Sequence, residues 1–314
     1  MRFIPLLLLL GTPLAQPVMA GDGKPLLQRL NEAGRIQSFH GTFVYDRLGS
    51  FSTHNVWHRV EEDGSSRERM QQIDGTDQEV LRVNGRVQCA SGALADQLQG
   101  SQLWPGRELN ADQLSQWYEL VELGSSRVAG RSTDVLAVMP RDQYRYGFKF
   151  HLDQLTGLPL KSLLINDRGQ LLERVQFTAL DAVAPQPQAL QPSSGCRPIN
   201  MPDATVAAAA WRSDWLPPGF ALNAVTQRRS PVTDESVDCL VYGDGLARFS
   251  VFLEPLRDET VEDMRAQLGP TVAVSRRMAT KDGDVMVTVI GEIPIGTADR
   301  VALSMRAQEQ EVLQ

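Results

Sequence analysis

The stretch Tyr144-Arg145-Tyr146-Gly147-Phe148-Lys149-Phe150-His151-Leu152 decides the class of fold. Aromatic or apolar side chains occupy every second position with polar or small residues between them, which is the period of a strand. A Thr156-Gly157 turn leads from it into residues 158–165, and Asp167-Arg168-Gly169 turns that run into 171–179. The reading is a three-strand antiparallel meander with one strongly apolar face.

Upstream, the same alternation continues back to Ser38. Phe39, Gly41, Phe43 and Tyr45 share one strand face, and Asp74-Gly75 and Asn84-Gly85 are hairpin turns. One helix interrupts the strands, with Asn110 as N-cap, Gln113 at its third position, and Leu114, Trp117 and Tyr118 at helical spacing. A short helix at 24–31 carries Leu26, Leu27 and Leu30. Around Asp181 the pattern stops. Pro185, Pro187, Pro192 and Pro198 mark a semi-extended linker over 185–202. A second strand-rich unit follows, with a Gly243-Asp244-Gly245 turn, a hairpin around Asp282-Gly283, and a last helix capped by Thr297. Thr260 with Asp263, Val261, Met264 and Leu268, stopped by Gly269-Pro270, reads as a further helix. The domain reading is therefore 1–20 leader, 21–184 first domain, 185–202 linker and 203–314 second domain. The leader rests on Arg2, the apolar run from Phe3 to Leu10 and Val18-Met19-Ala20, the order of a secretory signal peptide.

At 314 residues the chain suits two domains, by the prior of roughly 100 to 200 residues each. Lys plus Arg number 31 against 38 Asp plus Glu, a net charge of -7 that argues against a nucleic-acid surface. Lys24, Lys149, Lys161 and Lys281 are the only lysines, so cationic surface is almost wholly Arg and suits forked contacts to carboxylate or phosphate. Arg141 with Arg145, Arg228 with Arg229 and Arg276 with Arg277 are the clusters that could meet a partner. For any one pair the solvated strand end is the better reading.

Three cysteines, Cys89, Cys196 and Cys239, allow at most one internal bridge. If one forms, the expectation is Cys196 to Cys239, pinning the linker to the second domain. Their number and spacing do not suit zinc, and neither a metal nor any other cofactor is expected. His54 and His58 lie on one strand face and read as solvent-facing residues. No nucleophile elbow, phosphate loop, dinucleotide fingerprint or metalloprotease motif is present, so an enzyme is not expected. The aromatic stripe Tyr144, Tyr146, Phe148 and Phe150, with Trp117, leaves two readings open. It is the buried face beneath the Leu114 helix, or it lines an apolar cavity for an acyl chain.

Several stretches, in chain order, carry a family resemblance. They are Gly41-Thr42-Phe43-Val44-Tyr45; Asp74-Gly75 with Glu79-Val80-Leu81; Thr156-Gly157-Leu158-Pro159-Leu160-Lys161-Ser162; Trp215-Leu216-Pro217-Pro218-Gly219-Phe220; Tyr242-Gly243-Asp244-Gly245-Leu246 with Phe249-Ser250-Val251; and Gly291-Glu292-Ile293-Pro294 with Thr297-Ala298. Together they resemble the RseB/MucB family of periplasmic regulators of the envelope-stress sigma factor, nearest to its pseudomonad members. Gly243 departs from the Ser that the family's turn carries. The resemblance implies a mainly β fold with α: an N-terminal LolA/LolB-like unclosed antiparallel barrel with helices, plus a smaller C-terminal sheet-and-helix domain. It implies a periplasmic protein that binds the periplasmic domain of a single-span anti-sigma factor of the MucA/RseA type and shields it from site-1 proteolysis. Release would come from lipopolysaccharide or lipoprotein acyl chains, and the output would be restraint of alginate synthesis. A homo-oligomer stays open. The competing class is a periplasmic lipid or lipoprotein carrier, for which the first domain alone would suffice.

Overall fold

The computed structural model describes residues 21–47, 49–92, 109–199, 210–230, 235–256, 262–281 and 283–308. The expected leader, Thr260, Val261 and Asp282 lie outside these residues. The first unit contains β1 (Gly21–Asp22), β2 (Phe39–Arg47), β3 (Ser50–Val60), β4 (Ser66–Gln72), β5 (Gln78–Val83) and β6 (Arg86–Ala90). It continues with β7 (Tyr118–Val128), β8 (Arg131–Pro140), β9 (Gly147–Asp153), β10 (Pro159–Ile165), β11 (Leu171–Asp181) and β12 (Arg197–Pro198). These make one twelve-stranded sheet in the order β1-β7-β8-β9-β10-β11-β2-β3-β4-β5-β6-β12, whose two end strands do not pair with each other. The sheet is unclosed, and the protein is mainly β with few helices.

The meander β9-β10-β11 is the one that the alternation and the two turns require. Two helices cover it. Lys24–Ile36 is longer than its Leu spacing suggests, because Ala33 is buried along with Leu26, Leu27 and Leu30. Ala111–Trp117 opens with the Asn110 side chain accepting from the backbone N–H of Gln113. Their apolar faces join Leu120, Leu136, Val138, Phe150 and Leu152 in one core. A second core, under the other half of the sheet, holds Phe39, Phe43, Val56, Met70, Leu160 and Phe177.

The second unit has β13 (Trp211–Ser213), β14 (Ala221–Arg229), β15 (Ser236–Gly243), β16 (Arg248–Pro255), β17 (Met264–Leu268), β18 (Thr271–Thr280), β19 (Gly283–Gly291) and β20 (Met305–Ala307). Six of them form a sheet in the order β14-β15-β16-β19-β18-β17, and β13 pairs with β20. The helix Ile295–Ser304 packs Ala298, Val301 and Ala302 against Val272, Val274, Val287 and Val289.

Several expectations are corrected. Residues 264–268 are a strand, not a helix: β17 pairs with β18 through the Gly269-Pro270 turn, and all five residues are exposed at the sheet edge. The end signals that suggested a helix stop serve equally as a tight hairpin, and the open edge of β18 decides between them. Thr297 does not cap the last helix, whose N-cap is Pro294 without a side-chain bond. The stretch 185–199 is not a free linker. Leu190 is buried, Arg59 and Arg69 donate to the carbonyls of Pro185 and Ala189, and Ser193 donates to Glu79. His54 and His58 are not solvent-facing. His54 is buried against Phe43 and His58 stacks on Phe39, both on the sheet's inner side.

The disulfide also differs from expectation. Cys89 bonds to Cys196, and Cys239 is a free, buried thiol in β15. The reason is register: β12 pairs with β6 so that Pro198 faces Cys89, which brings Cys196 to the first unit and leaves Cys239 in the middle of the other sheet. Sequence spacing carries no trace of that pairing.

Candidate functional site

The feature that separates this chain from a plain curved-sheet protein is the seam where the second unit docks on the first. Its centre is Arg145, the residue just inside the alternating stretch. The strand β9 begins only at Gly147, so Tyr144 and Arg145 lie in the preceding bend and are free to turn away from the sheet. Arg145 is 1% exposed. Its guanidinium donates to both carboxylate oxygens of Asp142 in its own unit, at 3.1 and 2.8 Å. It also crosses the seam to Asp244 Oδ2 at 2.5 Å and to the Pro218 carbonyl at 2.5 Å. The rings of Tyr118 and Phe220 lie 5.3 and 5.1 Å from its Cζ, one from each unit.

Asp244 is fully buried and fully partnered. Besides Arg145 it accepts from the Tyr118 hydroxyl at 2.8 Å and from the backbone N–H groups of Leu246 and Ala247 at 2.9 and 2.7 Å. A buried ion pair stabilises only when its remaining polar groups are hydrogen-bonded, and here both Asp244 oxygens accept twice and each Arg145 nitrogen has an acceptor. Burial acts to lower the Arg145 pKa, but the bond to Asp142 and the Asp244 and Asp142 charges outweigh it, so the guanidinium stays charged. Burial, then the Asp244 charge, raises the Tyr118 phenol well above its ordinary value, which keeps it a donor.

Apolar contact surrounds this node. Leu246, from the Gly243–Leu246 turn, packs into the core built by Leu114, Tyr118 and Phe150. Trp117 lies flat on Gly219, whose φ is +83°; a Cβ there would meet Trp117 Nε1 at 2.2 Å. Only glycine satisfies both the backbone angle and that approach. Beside it, Tyr144 meets the ring of Trp215 edge-on at 5.2 Å, and the Arg300 guanidinium lies over Trp215 at 3.9 Å and donates to the Tyr144 hydroxyl at 3.4 Å. Thr297 Oγ1 donates to the Tyr144 carbonyl at 3.2 Å, which is the use the fold makes of the residue read as a helix cap.

The turns that carry the family resemblance in the second unit are therefore the parts that dock. A sequence model for the MucB/RseB N-terminal domain matches residues 22–194, and one for the MucB/RseB C-terminal domain matches residues 205–306. The chain belongs to the MucB/RseB family. It is 59% identical over 311 residues to the sigma factor AlgU regulatory protein MucB of Pseudomonas aeruginosa, covering 98% of each chain. To the sigma-E factor regulatory protein RseB of Escherichia coli it is 25% identical, covering 90% of this chain and 89% of that one. Among solved structures it resembles MucB in the Pseudomonas aeruginosa MucA/MucB complex, with a TM-score of 0.81, 59% identity and coverage of 92% and 100% of the two chains. Against a crystal structure described as MucB, with no partner named, the TM-score is 0.71 at 56% identity, covering 91% and 98%.

Within this MucB/RseB fold the sequence-predicted residues separate into groups. Phe148 and Phe150 stack in parallel, centroids 5.6 Å apart, beneath the Ala111–Trp117 helix, and Tyr146 is buried. Tyr144 meets Trp215 across the seam, while Trp117 meets Gly219 there and also packs against the core that holds Phe150. Arg276 and Arg277 are closed into ion pairs with Asp263, Asp299 and Asp284 inside the second unit. Arg228 and Arg229 end the edge strand β14, half-buried and exposed respectively. Arg145, read as one of several surface arginines, is the most buried of them. The signal that could have found it was its place inside an apolar alternation with Asp142 three residues before it.

Proposed function

We propose that this protein is a non-catalytic periplasmic regulator. It binds the periplasmic region of a MucA-like, single-span membrane anti-sigma factor, shields it from site-1 proteolysis and so restrains the envelope-stress sigma factor and alginate synthesis. Lipid or lipopolysaccharide signals release it. The observation that carries the reading is agreement over nearly the full chain, both units and their mutual placement included, with MucB solved together with MucA. Because Arg145, Asp244, Trp117 and Gly219 hold the two units in one arrangement, a partner segment crossing the seam meets a preformed composite surface. A ligand that favours another arrangement of the units lowers partner affinity by the same factor as the partner lowers its own.

Calorimetric titration of the full-length mature protein with the periplasmic fragment of its cognate anti-sigma factor tests this, with and without lipopolysaccharide, alongside a site-1 protease digestion of the fragment. Tight binding, protection of the fragment, and loss of both with lipopolysaccharide support the regulator. Absence of binding to the fragment, with recovery of lipoproteins from an envelope extract, would favour the carrier reading instead.

A further inference from the structure

The chain leaving β11 does not go straight to the second unit. In the sheet order β11 and β12 lie on opposite sides of β2–β6, so residues 182–196 cross that half of the first sheet, a span of about 29 Å at the usual strand spacing. This strap follows the outer face, whose Arg59, Arg69 and Glu79 alternate with the inward His58, Met70 and Val80. Its non-covalent hold is thin. Arg59 donates to the Pro185 carbonyl at 3.1 Å, Arg69 to the Ala189 carbonyl at 3.3 Å, and the Ser193 N–H to Glu79 at 2.8 Å. Pro185 and Leu190 are the buried side chains of 182–199. β12 has two residues, and the Ile199 N–H adds one bond to the Gln88 carbonyl at 3.0 Å. Such bonds exchange for bonds to water at little net gain, so the Cys89–Cys196 bridge carries the closure.

We propose that this bridge is an exchangeable clasp on the strap, opened at Cys196 by a protein that carries a Cys-x-x-Cys dithiol. The proposal rests on the strap's own contacts and holds whether or not the partner reading does. The two sulfurs differ in access. Cys89 is buried at the end of β6, whereas Cys196 is half-buried with exposed neighbours at 191–195 and 197–198. Exchange needs a thiolate to reach one sulfur, which selects Cys196. The incoming thiolate bonds to Cys196 Sγ, and Cys89 leaves as a thiolate and takes up a proton. The partner's second thiol then loses its proton and displaces Cys196 from the mixed disulfide. Two electrons have passed to the bridge, the partner is left oxidised, and Cys89 and Cys196 are both thiols. Cys239 does not compete for either, being fully buried in β15 between its ladder partners Thr226 and Phe252. With the clasp closed, the chain leaves the first sheet from β12. With it open, it leaves from β11 on the other side of β2–β6, and the second unit is tied to a different point of the first.

Hydrogen exchange read by mass spectrometry, with thiol labelling of the same samples, tests this on full-length mature protein kept oxidised, treated with dithiothreitol, or treated with reduced thioredoxin. Both reductants are expected to open the bridge without denaturant and to make Cys196 open to labelling, while Cys239 stays closed. Amides of 182–199 and β6 are expected to exchange about tenfold faster, with β8–β10 and the second sheet unchanged. Cys196→Ser is expected to show the same local loss with no reductant, and Cys89→Ser serves if the first variant does not fold. A bridge that reduced thioredoxin leaves closed, a strap that keeps its slow exchange once the bridge is gone, or a loss of protection that spreads through both sheets would overturn the clasp.

Discussion

The two ends of the seam are built from the same kinds of groups and behave differently because of depth. At the Arg145 end the ion pair to Asp244 is wholly removed from water, one cation is shared by two carboxylates, and every acceptor on Asp244 is used. At the Arg47 end the groups are only half-buried, and Arg47 donates to a carbonyl and a hydroxyl of the second unit. The first arrangement keeps its guanidinium charged and is costly to break. At the second, burial pushes the Glu292 carboxyl up to about 7. One interface thus joins a deeply buried pivot to a shallower edge.

The largest effect belongs to the pivot. Arg145→Ala leaves Asp244 buried with its main counter-charge gone, a defect that costs about 3–5 kcal/mol. Urea denaturation followed by tryptophan fluorescence is expected to split into two transitions. A single transition at the natural midpoint would show that the node does not couple the units. Next, Cys196→Ser or reduction frees the segment that β12 anchors to β6, which costs about 2–4 kcal/mol by the usual scale for a native bridge. Limited proteolysis is expected to cut within 190–199 only after the bridge is gone. Third, Gly219→Ala forces a side chain onto Trp117 at a positive φ, a strain of about 1–3 kcal/mol. A shift in Trp117 emission with a lowered denaturation midpoint is the expected signature, and an unchanged midpoint would mean that the Pro218–Gly219 loop gives way freely.

The smallest effect sharpens the contrast in pH response. His151 is held down to about 4, by burial first and then by Lys161 and Lys149. Burial likewise lowers His54. A lowered histidine contributes stability that is present above its ordinary value near 6.5 and is lost as the pH falls through the folded value near 4. The first unit should therefore weaken on acidification over that range. Thermal melts of His151→Gln across that range should fall less steeply with acid than those of the natural protein. Equal slopes would remove His151 from the account.

The strands of the first sheet, the Asn110 cap, the hairpin turns and the strand-rich second unit were all legible in the chain, because alternation and turn chemistry act between near neighbours. The family was legible for a related reason, since its markers are turn sequences that hold their form locally. What the chain does not display is which distant surfaces those turns touch. Nothing near Gly219 in sequence announces Trp117, nothing near Cys196 announces Cys89, and nothing near Asp244 announces an arginine 99 positions earlier. The helical end signals around Met264 were real and were overruled by a free sheet edge that sequence neighbours cannot see. The sequence by itself determined the local geometry and the family of this protein. Only the tertiary structure decided the disulfide, the edge strand and the seam, because each depends on desolvation and pairing between segments that meet after the chain has folded.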